Sequence, residues 1–179
     1  MILALGILLL WTAGLMPCFA GTTYYVDRWN GDDGNSGTST GAAWQTLSKV
    51  SGRVFQPGDR ILFHAGHTWT GRLDLNGNGS EAEPIVVDRY GDGSKPTIDG
   101  NGHLAALVLE NVSYWEINNL EIVNDGGPTL SGGQADYRAG VLVKTSSAGV
   151  RKHIHLKGLA IHHIFPESGA EFSYAIDVR

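Results

Sequence analysis

Cysteine, charge and helical periodicity are all scarce in this chain. The one cysteine, Cys18, lies in an apolar leader of residues 1–20 that carries no Lys, Arg, Asp or Glu. Cys18 and Ala20 stand at the −3 and −1 positions where a signal peptidase requires small residues. Cleavage after Ala20 would leave the mature chain without a thiol, which excludes disulfides and cysteine-ligated metals.

Charged residues make up 17% of the chain, with 13 basic and 18 acidic side chains. No basic stripe is present, which argues against a nucleic-acid partner. All of these charges follow residue 20, in a segment long enough for one hydrophobic core. We expect a monomer that is secreted, extracellular or periplasmic, and free of the membrane after cleavage. Because the leader lacks Lys and Arg, an uncleaved membrane anchor is the alternative.

Helical spacing is confined to one short stretch of the mature chain. Trp44, Leu47 and Val50 are three residues apart and follow hydroxyl residues that can cap a helix. This spacing predicts a helix at about 42–50, which would cover the open end of a repetitive core. The 25 glycines are typical of a fold with many tight corners.

A repeated β pattern occupies the later part of the chain. Residues 115–122 return as residues 154–161, 39 positions later, with large apolar residues in four equivalent places. Those places are 115/154, 117/156, 120/159 and 122/161. Each copy follows another short apolar run, at 106–109 and at 140–143. A fixed period without a helix inside it predicts an all-β solenoid, a parallel β-helix.

The repeat also predicts how the chain is divided. Leading strands are expected near residues 61, 85, 107, 141 and 176, which makes about four and a half coils. Residues 124–139 and 145–152 are insertions, and long loops on a solenoid usually surround its binding face. The chain stops inside a leading strand whose edge nothing covers. We therefore expect 1–20 to be the signal peptide and 21–179 to be the cap and first coils of a longer protein.

Several motifs occur in the order found in one superfamily of secreted solenoids. They are Thr23-Tyr24-Tyr25-Val26-Asp27, the Gly-rich stretch 31–38, Trp44-Gln45-Thr46-Leu47, Pro57-Gly58-Asp59, Pro84-Ile85-Val86-Val87 and Lys95-Pro96-Thr97-Ile98-Asp99-Gly100. Together they resemble the N-terminal portion of right-handed parallel β-helix proteins of the pectate-lyase-like superfamily. The resemblance implies this fold across the mature chain and places most catalytic groups beyond Arg179.

The same resemblance implies an activity on carbohydrate. A polysaccharide lyase that cleaves acidic, uronate-containing polysaccharides by β-elimination is the expected function. Elimination requires a neutralised carboxylate, commonly through calcium, and a positioned base. A glycoside hydrolase, which would need two carboxylic acids, or an epimerase on the same scaffold is the alternative. A non-catalytic glycan-binding or surface protein is a third possibility.

One set of ionisable residues fits the needs of a lyase. When the apolar residues of each leading strand face inward, the next position faces outward. The residues at these positions are His64, Asp88, Glu110, Lys144 and Arg179. Because neighbouring strands lie about 5 Å apart, we expect the five side chains to form one outward column.

Each member of this column has an expected role. Asp88 and Glu110 would hold a calcium ion, and His64 would contact substrate. Lys144 and Arg179 would contact uronate carboxylates or carry the base. The alternative is a solvent-exposed strand end whose opposite charges simply pair.

Two other groups of polar residues are expected to be structural. The loop 32–35 could bind calcium, but Asp and Asn also form turns, and the loop lacks the Glu-terminated spacing of an EF-hand. His153 and His155 share the outward face of a strand, and His162 and His163 follow. The sequence shows no further ligand clustered with these histidines, so surface histidines are expected.

Overall fold

The protein is a solenoid of short strands wound around one core. The computed structural model describes residues 21–125, 137–165 and 172–179. The first coil contains β1 (Thr23–Val26), a 3-10 helix (Thr40–Ala42), α1 (Leu47–Ser51) and β2 (Val54–Phe55). The coils that follow contain β3 (Arg60–His64), β4 (Thr68–Thr70), β5 (Leu73–Gly77), β6 (Ile85–Tyr90), β7 (Thr97–Asp99), β8 (Ala105–Glu110), β9 (Trp115–Asn118), β10 (Glu121–Asp125), β11 (Tyr137–Lys144), β12 (Ile154–Lys157), β13 (Ala160–Phe165) and β14 (Phe172–Val178).

The strands stack in three parallel sheets. Sheet 1 has the order β1-β3-β6-β9-β12, sheet 2 the order β4-β7-β10-β13, and sheet 3 the order β2-β5-β8-β11-β14. All strand pairs in the described residues are parallel. This arrangement confirms the predicted parallel β-helix, in which each coil after the first contributes one strand to each sheet.

Alternation along each strand sends one set of side chains into the core. β3 buries Ile61 and Phe63, and their neighbours along the strand are more exposed. Trp69 and Trp115 are also fully buried. Their indole N–H groups donate to main-chain carbonyls, 2.9 Å from the oxygen of Gln45 and 3.0 Å from that of Gly77. The bulky rings therefore fill the core without leaving these buried polar groups unpaired.

The 39-residue repeat consists of two coils stacked in register. Ile154 pairs with Trp115 and Leu156 with Ile117 in sheet 1. In sheet 2, residue 161 pairs with residue 122. The predicted equivalence of these positions is confirmed, because side chains one coil apart occupy the same layer of the core.

The N-terminal cap contains less helix than predicted. α1 spans only Leu47–Ser51, and Trp44 instead forms an isolated parallel bridge with Val26. Trp44, Leu47 and Val50 are nevertheless buried in the main core cluster. The periodicity thus identified the buried residues correctly, while the bridge to β1 shortened the helix.

The polar loop before the cap holds the start of α1. The Asp33 carboxylate accepts hydrogen bonds from the main-chain N–H groups of Gln45 at 2.8 Å and Thr46 at 3.0 Å. The Thr46 side chain in turn accepts from the N–H of Lys49 at 3.1 Å, as an N-cap residue does. Asp32 accepts from the N–H of Gly34 at 2.7 Å. The expected turn-forming role of this loop is confirmed.

Two predicted segments fall outside the described residues. They are the leader, residues 1–20, and most of the inserted loop, residues 126–136. Cleavage after Ala20 therefore stays a prediction. In the described ranges, no helix combines the length and apolarity needed to cross a membrane.

Candidate functional site

The predicted column of ionisable residues is divided between two sheets. His64 and Asp88 lie on β3 and β6 of sheet 1, whereas Glu110 and Lys144 lie on β8 and β11 of sheet 3. Arg179 directly follows β14, also in sheet 3. The single five-residue column is therefore wrong. Alternation shows which residues of a strand point outward, but the lengths of the corners decide which sheet the strand joins.

The two residues on sheet 1 make separate structural contacts. In the register of strands β3 and β6, His64 lies beside Tyr90, which is two residues after Asp88. The Asp88 carboxylate accepts a hydrogen bond from the side-chain amide of Asn119 at 2.9 Å. Because Asp88 and Glu110 face outward from different sheets, one calcium ion cannot be shared by them in this arrangement. Calcium binding elsewhere in the intact protein stays a prediction.

The remaining three residues, Glu110, Lys144 and Arg179, form what we call the charged column of sheet 3. Lys144 pairs in register with Glu110, and its Nζ lies 3.0 Å from Oε2 of that carboxylate. The Ser146 hydroxyl donates to the other carboxylate oxygen at 2.7 Å. Hydrogen bonds from Ser146 and Lys144 and the lysine charge lower the pKa of Glu110, although slight burial opposes them. Glu110 is therefore an ionised, half-exposed acid at neutral pH.

Aromatic rings lie beside the Arg179 end of the charged column. The Arg179 Nε donates to Asp177 at 2.6 Å, and its guanidinium lies 4.4 Å from the centre of the Tyr137 ring. The Tyr137 hydroxyl also donates to Asp177. Burial and the bond to Asp177 raise the pKa of Tyr137. Tyr174 lies 5.5 Å from Tyr137 and is partly exposed, so rings, an acid and a cation are available together.

A second cluster, around His67, was missed by sequence reasoning. His67 and Asp27 are buried, and His67 Nδ1 lies 3.4 Å from an Asp27 oxygen. The His67 ring is stacked on His64 at 4.2 Å and contacts the exposed ring of Trp29 at 3.9 Å. Burial and the neighbouring His64 lower the pKa of His67, and Asp27 offsets this only in part.

Asp27 in this second cluster serves the main chain. Burial raises its pKa, but hydrogen bonds from the N–H groups of Asn30 and Trp29 outweigh that effect, and the pKa lies below its usual value. Both bonds are 2.9 Å long. The cluster therefore consists of a neutral histidine and an ionised aspartate that fix the loop after β1. No periodicity in the sequence predicts that residue 27 lies near residue 67. The two residues come together only because successive coils stack.

A third cluster combines Glu116, His153 and His155, which we call the histidine–glutamate cluster. Glu116 on β9 pairs in register with His155 on β12. His153 Nε2 lies 3.0 Å from Oε1 of Glu116, and the two imidazole rings are stacked 3.8 Å apart. One ligand atom from each residue lies within 4.8 Å of the other two. Sequence reasoning found the histidines and missed the glutamate, although the 39-residue repeat places 116 beside 155.

The other two predicted surface histidines are arranged differently. His162 Nε2 lies 2.8 Å from Oε1 of Glu121, while its Nδ1 faces Nδ1 of His163 at 2.5 Å. Glu121 also accepts from the Thr97 hydroxyl at 2.8 Å. Because Glu121 and His163 contact opposite edges of the His162 ring, the three residues do not converge on one point.

Comparison with known sequences identifies glycan-cleaving enzymes as relatives. No family model matches the chain. The chain is 30% identical over 193 aligned residues to the lacto-N-biosidase of Bifidobacterium longum subsp. longum, covering 81% of this chain and 12% of that protein. It is also 30% identical over 64 residues to alpha-1,3-galactosidase A of Akkermansia muciniphila, covering 36% of this chain and 11% of that protein. The chain therefore spans about an eighth of the curated relatives it matches.

Solved structures support the same relationship. The native and selenomethionine crystal structures of the GH136 lacto-N-biosidase from Eubacterium ramulus match with TM-scores of 0.74 and 0.75. In each case the identity is 27%, and the match covers 88% of this chain and 30% of that one. The similarity thus extends through nearly the whole described solenoid.

These similarities show that the predicted function, a polysaccharide lyase, is wrong. The relatives are named as glycosidases, which cleave by hydrolysis, and they favour the alternative of a glycoside hydrolase. The sequence motifs that suggested a lyase lie in strands, in corners and in the N-terminal cap of the solenoid. Such elements stabilise the solenoid whatever reaction it supports, so they do not distinguish elimination from hydrolysis.

Proposed function

We propose that the intact protein is a glycoside hydrolase that acts on a glycan. The observation that carries this proposal is the match to GH136 lacto-N-biosidase over 88% of the chain, at 27% identity and a TM-score of 0.75. Because the chain spans 30% of that structure, the activity and substrate of the whole protein are part of the proposal. The names of the relatives suggest a lacto-N-bioside as substrate. An acidic polysaccharide was predicted as the substrate of a lyase, so this prediction loses its main support when the lyase is rejected.

In this proposal the charged column of sheet 3 contributes to substrate binding. A glycosidase needs one carboxylic acid that holds its proton until the leaving group takes it. Glu110 does not suit that task, because Ser146 and Lys144 stabilise its ionised form. Lys144 and Arg179 are no longer expected to act as the base of an elimination. The cations can hydrogen-bond sugar hydroxyls while the nearby tyrosine rings contact the apolar face of a sugar.

Secretion of the protein, its monomeric state and its membership of a wider superfamily are also part of the proposal. The uncharged leader supports secretion, and a monomer is expected from a solenoid with one core. The ordered series of sequence motifs supports a place in the pectate-lyase-like superfamily. Detection of a mature N-terminus at Gly21 by sequencing of the extracellular protein would support secretion, whereas an intact Met1 in membranes would contradict it.

The reaction can be tested with the intact protein. We expect it to release lacto-N-biose from a chromogenic lacto-N-bioside and to produce no unsaturated uronate absorbance from pectate, alginate or chondroitin. An α-1,3-galactoside tests the reaction named by the second relative. Unsaturated product, or glycan binding without cleavage of any substrate, would contradict the proposal.

The role of the charged column can be tested with two matched variants. Arg179 donates Nε to Asp177 at 2.6 Å, and the exposed Arg89 likewise makes a local hydrogen bond, from Nη1 to the carbonyl of Gly93 at 2.6 Å. We expect Arg179→Ala to raise KM by roughly 5- to 20-fold, the effect of losing a charge-assisted hydrogen bond. Arg89→Ala, on β6 of sheet 1 and outside the charged column, should leave KM unchanged. Equal effects of both variants would contradict a binding role for the column.

A further inference from the structure

The histidine–glutamate cluster has ligand atoms close enough to converge on one ion. Glu116 lies on one coil, and His153 and His155 lie on the next. The three ligand atoms lie within 4.8 Å of one another. Tetrahedral Zn²⁺ with bonds of about 2.0–2.1 Å requires ligand atoms about 3.3 Å apart. The 3.0 Å contact between His153 and Glu116 is already near this value, and the other two separations are at most 4.8 Å.

The main chain holds His153 in an uncommon conformation. Its φ is +54°, in the left-handed region that side-chain-bearing residues rarely adopt. The carbonyl of His153 accepts from the N–H of Trp115 at 2.9 Å, which ties this residue to the preceding coil. Tyr114 has φ +62° and its ring stacks on that of His153 at 5.8 Å. The backbone thus places the His153 ring between Tyr114 and His155 and against Glu116 before any ligand binds.

The donor set selects the class of ion. Two imidazole nitrogens and one carboxylate oxygen suit a first-row divalent transition metal, whereas Ca²⁺ prefers oxygen ligands alone. Metal binding uses the neutral form of each imidazole. We propose that Glu116, His153 and His155 bind one divalent transition-metal ion, represented by Zn²⁺, on the outer face of sheet 1.

Such an ion would join two consecutive coils of the solenoid. Glu116 would contribute from β9 and His155 from β12, which are neighbours in sheet 1. An ion that binds the folded chain and not the unfolded chain raises stability in proportion to the logarithm of its concentration over Kd. Saturating Zn²⁺ should therefore raise the Tm. This site does not depend on the proposed hydrolase activity, because none of its residues belongs to the charged column.

Zn²⁺ binding can be measured directly by isothermal titration calorimetry of the metal-stripped intact protein. We expect one Zn²⁺ per chain at this site, with an affinity at least 10-fold weaker in His155→Gln. Glu116→Gln provides a second variant of nearly the same shape and should show the same loss. His162→Gln is the matched control, because it removes another exposed histidine paired with a glutamate, at a place where the described residues bring no third ligand atom to the same point.

Co²⁺ provides a second readout of the same site. Tetrahedral Co²⁺ bound to nitrogen and oxygen absorbs strongly in the visible range, and His155→Gln and Glu116→Gln should both abolish this band. Circular dichroism should show that both variants keep the β spectrum. Absence of Zn²⁺ binding by the wild-type protein would overturn the proposal. Equal affinity in wild type and both cluster variants, or an equal loss in His162→Gln, would also overturn it.

Discussion

A single buried amide on β10 connects this strand to two other main-chain segments of the solenoid. The Asn124 side chain is fully buried, and its Nδ2 donates to the carbonyls of His103 at 2.7 Å and Ala139 at 3.0 Å. Its Oδ1 accepts from the N–H of Gly102 at 3.1 Å. A Cβ on Gly100 would lie 2.6 Å from this amide, so a residue without a side chain leaves the necessary space. Asn124 therefore fixes how two successive coils meet at one corner.

Removal of the Asn124 amide should be costly. We expect Asn124→Ala to lower the free energy of unfolding by about 3 kcal/mol, because buried main-chain groups lose their partners. Asn78→Ala is a suitable control, since Asn78 makes an exposed hydrogen bond to the N–H of Ser113. Urea denaturation measures both changes. Similar losses in the two variants would show that burial of Asn124 contributes little.

Histidine burial predicts a dependence of stability on pH. The lowered pKa of His67, caused by burial and by His64, means that the folded chain takes up this proton at lower pH than the unfolded chain does. Burial and the nearby Arg72 lower the pKa of His103 in the same direction. Between the lowered pKa and the usual value of about 6.5, the unfolded state binds more protons. Stability should therefore fall as the pH drops below about 6.5.

The contribution of His67 can be separated with one substitution. In urea unfolding between pH 7 and 5, we expect His67→Gln to flatten the pH dependence, by at most about 1.4 kcal/mol per pH unit. The quantity compared is the slope of the free energy of unfolding against pH, because the substitution also changes packing and the absolute stability. A slope identical to that of the wild-type protein would mean that His67 is protonated equally in both states.

At the scale of elements, one glycine sets how closely the first two coils approach in sheet 3. Gly77 at the end of β5 pairs with Phe55 of β2 and has φ +110°. A Cβ at this position would lie 2.2 Å from the Phe55 carbonyl oxygen. The Gly77 carbonyl also accepts from the Trp115 indole at 3.0 Å. Strand β5 can therefore pair with β2 in this geometry only if residue 77 has no side chain.

A pair of glycine substitutions separates this steric effect from backbone strain. Gly71 has a similar φ of +122°, but a Cβ there would meet no atom within 4 Å. We expect Gly71→Ala to cost about 1–3 kcal/mol through backbone strain alone. Gly77→Ala should cost about 1–3 kcal/mol more, because β2 must also move. Chemical denaturation of both variants tests this, and equal losses would contradict the steric explanation.

At the scale of the whole molecule, coil stacking decides which side chains meet. Glu110 meets Lys144 because β8 and β11 are neighbours in sheet 3, although 34 residues separate them. Asp27 and His67 likewise come together from successive coils. In a solenoid, contacts of this kind are formed by neighbouring coils and recur wherever the period is regular.

The sequence by itself determined the architecture. Alternation identified inward residues such as Ile61 and Val141, and the 39-residue repeat correctly aligned β9 with β12. The same repeat also aligns residues 116 and 155, so the glutamate beside His155 could have been found from the sequence. These features are predictable because each depends on a local period of two residues or on one regular coil length.

Only the tertiary structure decided how the candidate site residues are grouped. His64 and Asp88 were assigned to the same face as Glu110, but the earlier strands belong to sheet 1 and the later ones to sheet 3. Alternation distinguishes the inward-facing from the outward-facing side chains of a strand. It contains no information about which of the three sheets that strand joins. Which sheet a strand joins depends on the lengths of the corners, and these lengths are irregular. The strands are assigned to their sheets only when the apolar residues of every coil pack into one core.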